Sequence, residues 1–216
     1  MQIQKIHHVA YRCNDAKETV EWYGKHLDMK FVLAIAEDQV PSTGEPDPYM
    51  HVFLDAGNGN VLAFFELPTQ APMDRDRNTP AWVQHLAMQL ETVDEVLAAK
   101  ARLQAAGIEV IGPTDHTLFK SIYFFDPNGH RLELSANTAL PGMLEKLDEV
   151  KWDMLNEWAT TRRAPHHARW MHDGSFNGGS PSATAKSASC ARPPCSAVVS
   201  DSASVSSAPT GDVSAA

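Results

Sequence analysis

The chain has 216 residues, of which 43% are hydrophobic and 21% are charged, and its formal net charge is −9. This composition is typical of a globular protein, and the acidic balance excludes the basic surface that nucleic-acid binding needs. No apolar stretch approaches the roughly 20 residues of a membrane span, and the N-terminal segment lacks the pattern of a signal peptide. We therefore expect a cytoplasmic protein with one compact domain plus extensions, and no nucleic-acid or membrane partner.

The first 135 residues show the same order of elements twice: a strand, a helix and three more strands. In the first copy, strands are predicted at about 3–12, 30–36, 50–54 and 61–67. In the second copy, they are predicted at about 82–90, 109–111, 121–125 and 131–134. Asp15 with Glu18, and Thr92 with Glu95, have the spacing of a helix-capping box, and each pair precedes an apolar helical stripe. The pattern predicts an α+β fold built from two βαβββ modules.

Composition divides the chain into five parts. These are a first module (1–67), a polar linker (68–80), a second module (81–135), a helical segment (136–163) and a tail (164–216). The helical segment contains apolar residues at helical spacing from Met143 to about Thr160. Ser and Ala make up more than half of residues 180–216, and no aromatic residue follows Phe176. Such a segment buries too little apolar surface to offset its ordering entropy, so we predict that the tail is disordered.

One stretch of the second module, residues 112–133, combines several residue types that carry chemistry. Asp126-Pro127-Asn128-Gly129 is typical of a turn, so the strands on either side of it are expected to form a hairpin. The hairpin would bring Tyr123 and Glu133 close together across the strand pair, with His116 on the preceding loop. A carboxylate, a phenol and an imidazole in one small space favour a metal site over a hydrophobic core.

The spacing of this stretch resembles the signature of the extradiol ring-cleaving dioxygenases. The matching positions are Thr114, His116, Ile122-Tyr123, Asp126-Pro127, Gly129 and Glu133. Those enzymes belong to the vicinal oxygen chelate superfamily, together with glyoxalase I and the bleomycin-resistance proteins. The resemblance implies that the two modules pack edge to edge and form a U-shaped metal-binding cleft. It also implies a small aromatic diol and O2 as substrates and, because paired modules of this superfamily often dimerise, a homodimer as a candidate assembly.

The same resemblance implies a set of metal ligands. His8, His85 and Glu133 match the three dioxygenase ligands, and two histidines with one carboxylate suit Fe(II) and leave three positions open. The repeat aligns His8 with His85 and, in this interpretation, Glu66 with Glu133. If Glu66 is a fourth ligand, the centre resembles that of glyoxalase I and suits Zn, Ni, Co or Mn. Glu66 as an outer carboxylate that orients a ligand histidine is the equal alternative.

The resemblance also assigns roles around the metal. His116 is expected to form hydrogen bonds and deliver a proton, and Tyr123 to form a hydrogen bond with the bound diol oxygen. His51, on the third strand of the first module, is a candidate base. Three functions remain open: a dioxygenase, a glyoxalase I-like isomerase, and a metal-free binding module, which the ligand set disfavours. A further histidine cluster at residues 166, 167 and 172 lies beside the predicted tail, and we interpret it as a chance cluster.

Overall fold

The computed structural model describes residues 2–74, 76–164 and 166–176. The first module contains β1 (Val9–Cys13), α1 (Ala16–Leu27), β2 (Lys30–Glu37), β3 (Tyr49–Asp55) and β4 (Val61–Glu66). The second contains β5 (Leu86–Gln89), α2 (Val93–Ala105), β6 (Ile111–Asp115), β7 (Phe119–Phe125) and β8 (Arg131–Asn137). The predicted α+β fold with two tandem βαβββ modules is therefore confirmed.

Local sequence signals explain where both module helices begin. The Asp15 carboxylate accepts a hydrogen bond from the backbone N–H of Glu18 at 2.8 Å and caps α1. At α2 the capping box is complete, because Thr92 accepts from the Glu95 N–H while the Glu95 carboxylate accepts from the Thr92 N–H. Both caps satisfy N–H groups that the first helical turn leaves without partners.

Each module forms one four-stranded sheet, with strand orders β1-β4-β3-β2 and β5-β8-β7-β6. The first strand of each module runs parallel to the last, and the other pairs are antiparallel. Val9 lies beside Leu62 in one sheet, and Leu86 lies beside Leu132 in the other. The residues just before these strands, His8 and His85, are therefore structurally equivalent, as the repeat predicts.

The two modules share one hydrophobic core between their helix-bearing faces. Leu62 and Phe64 of β4 and Leu132 and Leu134 of β8 belong to the same buried cluster. The Tyr23 hydroxyl of α1 crosses the boundary and donates a 3.0 Å hydrogen bond to the carboxylate of Asp126 in the second module. The edge-to-edge contact implied by the resemblance is thus not what joins the modules within this chain. Strand side chains alternate between the two faces of a sheet. Ala63 and Glu133 therefore lie on the faces of their sheets that point away from this core.

β2 is an apolar strand that no other part of the described chain covers. All eight of its residues are exposed, and Phe31, Val32 and Leu33 keep 53%, 51% and 47% of their surface accessible. Contiguous apolar surface of this kind is typical of a surface that binds a partner.

The second module is followed by a long helix and a short folded segment. Helix α3 (Met143–Thr161) lies where the sequence predicts it, and no helix of the described residues is long and apolar enough to span a bilayer. A 3-10 turn (His166–Ala168) and a short helix α4 (Trp170–Asp173) follow. The prediction of disorder from residue 164 onward is wrong for residues 166–176, because Trp170 is buried and the Lys146 ammonium lies over its ring. Residues 177–216 of the predicted tail lie outside the described residues.

Candidate metal centre

The second module holds His85 and Glu133 in direct contact. The Nε2 atom of His85 is 2.9 Å from Oε2 of Glu133, and the Glu133 side chain is only 3% exposed. The other carboxylate oxygen, Oε1, accepts a hydrogen bond from the hydroxyl of Ser121 at 2.5 Å. A buried carboxylate is costly unless it is paired and hydrogen-bonded, so this arrangement fixes Glu133 in one orientation beside the imidazole.

His85 also contacts the backbone through its other ring nitrogen. Nδ1 lies 3.0 Å from the carbonyl oxygen of Val83, and a carbonyl can only accept, so Nδ1 carries a hydrogen. Nε2 faces Oε2 of Glu133, and either a proton on Nε2 or a metal cation bound by both atoms would stabilise this contact. Octahedral coordination with bonds of about 2.1 Å separates neighbouring ligand atoms by about 3.0 Å. The donor types fit a divalent metal, and the 2.9 Å separation suits both that arrangement and a direct charge-assisted hydrogen bond.

Tyr123 and His116 form the second part of this site. Tyr123 pairs directly with Glu133 across the β7–β8 ladder, as the predicted hairpin requires. The Tyr123 hydroxyl and His116 Nε2 are 2.8 Å apart. Burial, and next the charge of Glu133, raise the pKa of Tyr123 above its ordinary value, so the phenol keeps its proton at neutral pH. The pair therefore forms a hydrogen-bonded link that ends beside the Glu133 carboxylate.

His8 and His51 lie together on the first module. Their ring centroids are 6.1 Å apart, and His51 is stacked on Phe65 at 3.6 Å. His51 is 8% exposed, and its buried Nε2 has no hydrogen-bond partner among the described residues. Burial, and next the neighbouring His8, lower the pKa of His51, which keeps the imidazole neutral. This face therefore offers one candidate ligand and one neutral candidate base.

The structure contradicts the alignment of Glu66 with Glu133. Phe53 pairs with Ala63 in the first sheet as Tyr123 pairs with Glu133 in the second, so Ala63 occupies the position equivalent to Glu133. Glu66 lies three residues further along, on the helix-bearing face, where its carboxylate accepts a 2.7 Å hydrogen bond from the backbone N–H of Ala16. The sequence alignment was wrong because it matched the two carboxylates by residue type, which put Glu66 rather than Ala63 at the position equivalent to Glu133.

Residues 5–134 match the model of the Glyoxalase/Bleomycin resistance protein/Dioxygenase superfamily, a range that includes both modules. The chain belongs to this superfamily. Its enzymes are metal-dependent and act on small molecules, which agrees with the donor groups at His85 and Glu133.

Individual relatives within the superfamily are distant. MhqA of Bacillus subtilis (strain 168), provisionally named a ring-cleaving dioxygenase, is 29% identical over 101 residues, 46% of this chain. The match covers 31% of MhqA, so this chain corresponds to about a third of that relative's length. A glyoxylase/bleomycin resistance protein/dioxygenase domain from Frankia sp. EAN1pec superposes with a TM-score of 0.50 at 19% identity, over 63% of this chain and all of the other. A glyoxalase family protein from Enterococcus faecalis superposes with a TM-score of 0.48 at 28% identity, over 62% of this chain and 99% of the other.

In this chain, the residues that the sequence predicts as metal ligands lie in separate groups. His85 and Glu133 are together, with Tyr123 beside them. His8 contacts residues of the first module, and in the described ranges it joins no group of three candidate ligand atoms within 4.8 Å. Glu66 belongs to neither group.

A cavity of about 470 Å³ opens beside His85 and is lined in part by Phe125 and Arg131. The Arg131 guanidinium lies 4.3 Å from the centroid of the Tyr123 ring. Sequence reasoning missed Ser121, the residue that orients Glu133. Alternation along β7 offered a signal, because Ser121 lies two residues before Tyr123 and therefore on the same face.

Proposed function

We propose that the protein is an Fe(II) extradiol dioxygenase that opens the ring of a catecholic substrate with O2. The observation that carries this proposal is Ala63 at the position equivalent to Glu133. The candidate donors are then His8, His85 and Glu133, two imidazoles and one carboxylate. Such a set leaves three neighbouring coordination positions, enough for both diol oxygens and O2. A glyoxalase I-like centre needs a fourth protein donor, and the carboxylate of Glu66 is engaged with α1 instead.

We further propose that the ligand set is completed between two copies of the chain. The core that joins the modules of one chain contains neither His8 nor Glu133. Apolar surface lies at the edges of the modules, including β2 and Trp82, which is 68% exposed. A two-fold pair of chains would place the first module of each copy against the second module of the other. Two identical centres would result, each with His8 from one copy and His85 and Glu133 from its partner.

The side chains around this centre have different roles in proton transfer. Bound Fe(II) would supply Lewis acidity toward the diol and the redox activity that O2 requires. His51, neutral and with a buried Nε2 that no described residue hydrogen-bonds, accepts a proton from the diol. The Tyr123 phenol donates a hydrogen bond to a diol oxygen, and His116 holds that phenol in place and returns a proton as the ring opens. The cavity wall formed by Phe125 suits an aromatic ring.

The test is anaerobic reconstitution of the purified chain with Fe(II), followed by O2 uptake with a panel of catechols and absorbance spectroscopy of the product. We expect one O2 consumed per catechol and a coloured ring-opened product, with Glu133→Gln as the inactive control. No O2 uptake with any catechol, together with isomerase activity of a Zn(II)- or Ni(II)-loaded chain, would refute the dioxygenase proposal in favour of the glyoxalase-like alternative.

A further inference from the structure

A second group of candidate ligands lies far along the chain from the residues discussed above. Glu157 is on the last turns of α3, and His166 and His167 are on the 3-10 turn that follows. Their candidate ligand atoms all lie within 4.8 Å of one another. The chain reverses between them at Arg162, whose backbone is left-handed with a φ of 53°. The fold therefore brings two imidazoles and a carboxylate together from both sides of a turn.

The distances in this cluster fit a coordinated cation better than direct hydrogen bonds. Oε2 of Glu157 is 3.3 Å from Nδ1 of His166 and 3.3 Å from Nδ1 of His167. A charge-assisted N–H···O bond is shorter, at about 2.7–2.9 Å. Tetrahedral coordination with bonds of about 2.0–2.1 Å separates its ligand atoms by about 3.3–3.4 Å. Both distances from Glu157 to the imidazoles thus match the ligand spacing of a tetrahedral centre.

The surroundings of His167 supply a second, independent indication. Its Nδ1 atom is buried and has no hydrogen-bond partner among the described residues, a state that is unfavourable unless something satisfies it. The rings of His166 and His167 are stacked, with centroids 4.4 Å apart and planes 24° from parallel. Stacking gives both Nδ1 atoms a common direction, toward Glu157.

We propose that Glu157, His166 and His167 bind a divalent transition metal of the zinc class, with water as the fourth ligand. The site is separate from the proposed catalytic centre, and its role is to fasten the segment 166–176 to α3. Three protein donors of the imidazole and carboxylate type suit Zn2+, and adjacent buried residues such as Trp170 already hold the segment near the helix.

The test counts metal ions in full-length chains that lack the other proposed site. In a Glu133→Gln background, titration with Zn2+ and with Co2+ is compared between the parent chain, Glu157→Gln and the matched control Glu149→Gln on the same helix. We expect one bound ion, the intense visible absorption of tetrahedral Co2+, and an affinity more than about tenfold lower in Glu157→Gln, because outer-shell changes alone cost about 10–100-fold. Zn2+ should also slow tryptic cleavage after Arg163, except in Glu157→Gln.

Two results would overturn the proposal. One is Zn2+ affinity in Glu157→Gln within about twofold of the parent chain, which would assign the bound ion to other residues. The other is the weak Co2+ absorption of an octahedral complex. Neither result depends on catalytic activity, so failure of this site and failure of the proposed function are distinguishable.

Discussion

Replacing Glu66 by Gln separates the two metal-centre types that the sequence leaves open. Gln keeps an oxygen that can accept the 2.7 Å hydrogen bond from the Ala16 N–H, so α1 retains this contact. The change removes a negative charge near the N-terminus of α1, which costs about 0.3–1 kcal/mol of stability. Because Glu66 lies on the helix-bearing face, its replacement should change metal affinity by less than about twofold. In contrast, Glu133→Gln removes a proposed ligand and should weaken binding by more than about tenfold.

The assay is anaerobic calorimetry with Fe(II), performed in a Glu157→Gln background so that the second proposed site does not contribute. Urea unfolding of the same samples measures stability, and Glu133→Gln is the matched control for loss of a ligand. A tenfold or larger loss of Fe(II) affinity in Glu66→Gln would contradict the assignment of Ala63 as the position equivalent to Glu133. The glyoxalase-like centre with four protein donors would then be the better account.

Four further substitutions test the site and the core. Tyr123→Phe and His116→Gln should each lower kcat by about 100-fold with unchanged metal content, because each breaks the proton path; near-normal turnover would exclude these roles. Tyr23→Phe should lower the free energy of unfolding by about 1.5 kcal/mol, since the carboxylate of Asp126 keeps its other three hydrogen bonds, and an unchanged urea midpoint would contradict this. Burial raises the pKa of Cys13 from 9.0 to about 11, so the thiol stays protonated when folded while the unfolded chain loses the proton above pH 9. The free energy of unfolding should therefore fall between pH 9 and pH 11. Urea unfolding should show that this fall is about 2–3 kcal/mol larger in the natural chain than in Cys13→Ala.

The module architecture was predictable from sequence because its signals are local. Capping residues such as Thr92 and Glu95, apolar periodicity and turn residues each fix a nearby element, and the structure has those elements. The pairing of Tyr123 with Glu133 was predictable for the same reason, since a short turn sets the register of a hairpin.

The site was less predictable because it depends on registers between distant segments. The alignment of Glu66 with Glu133 used residue type alone, and only the pairing of Ala63 with Phe53 shows which residue faces the metal side. Ordering of residues 166–176 also escaped prediction, because it depends on Trp170 packing near α3, a contact that composition does not reveal.

The central claim is a centre shared between two copies of the chain, and mixing two inactive variants tests it most directly. His8→Ala and Glu133→Gln homodimers should each be inactive, because every centre lacks one ligand. After co-refolding in equal amounts, half of the dimers combine both variants, and each of these has one complete centre. We expect about a quarter of the natural O2 uptake and Fe(II) binding to return. No recovery in mixtures that contain the mixed dimer would contradict the shared centre and require His8, His85 and Glu133 to meet within one chain.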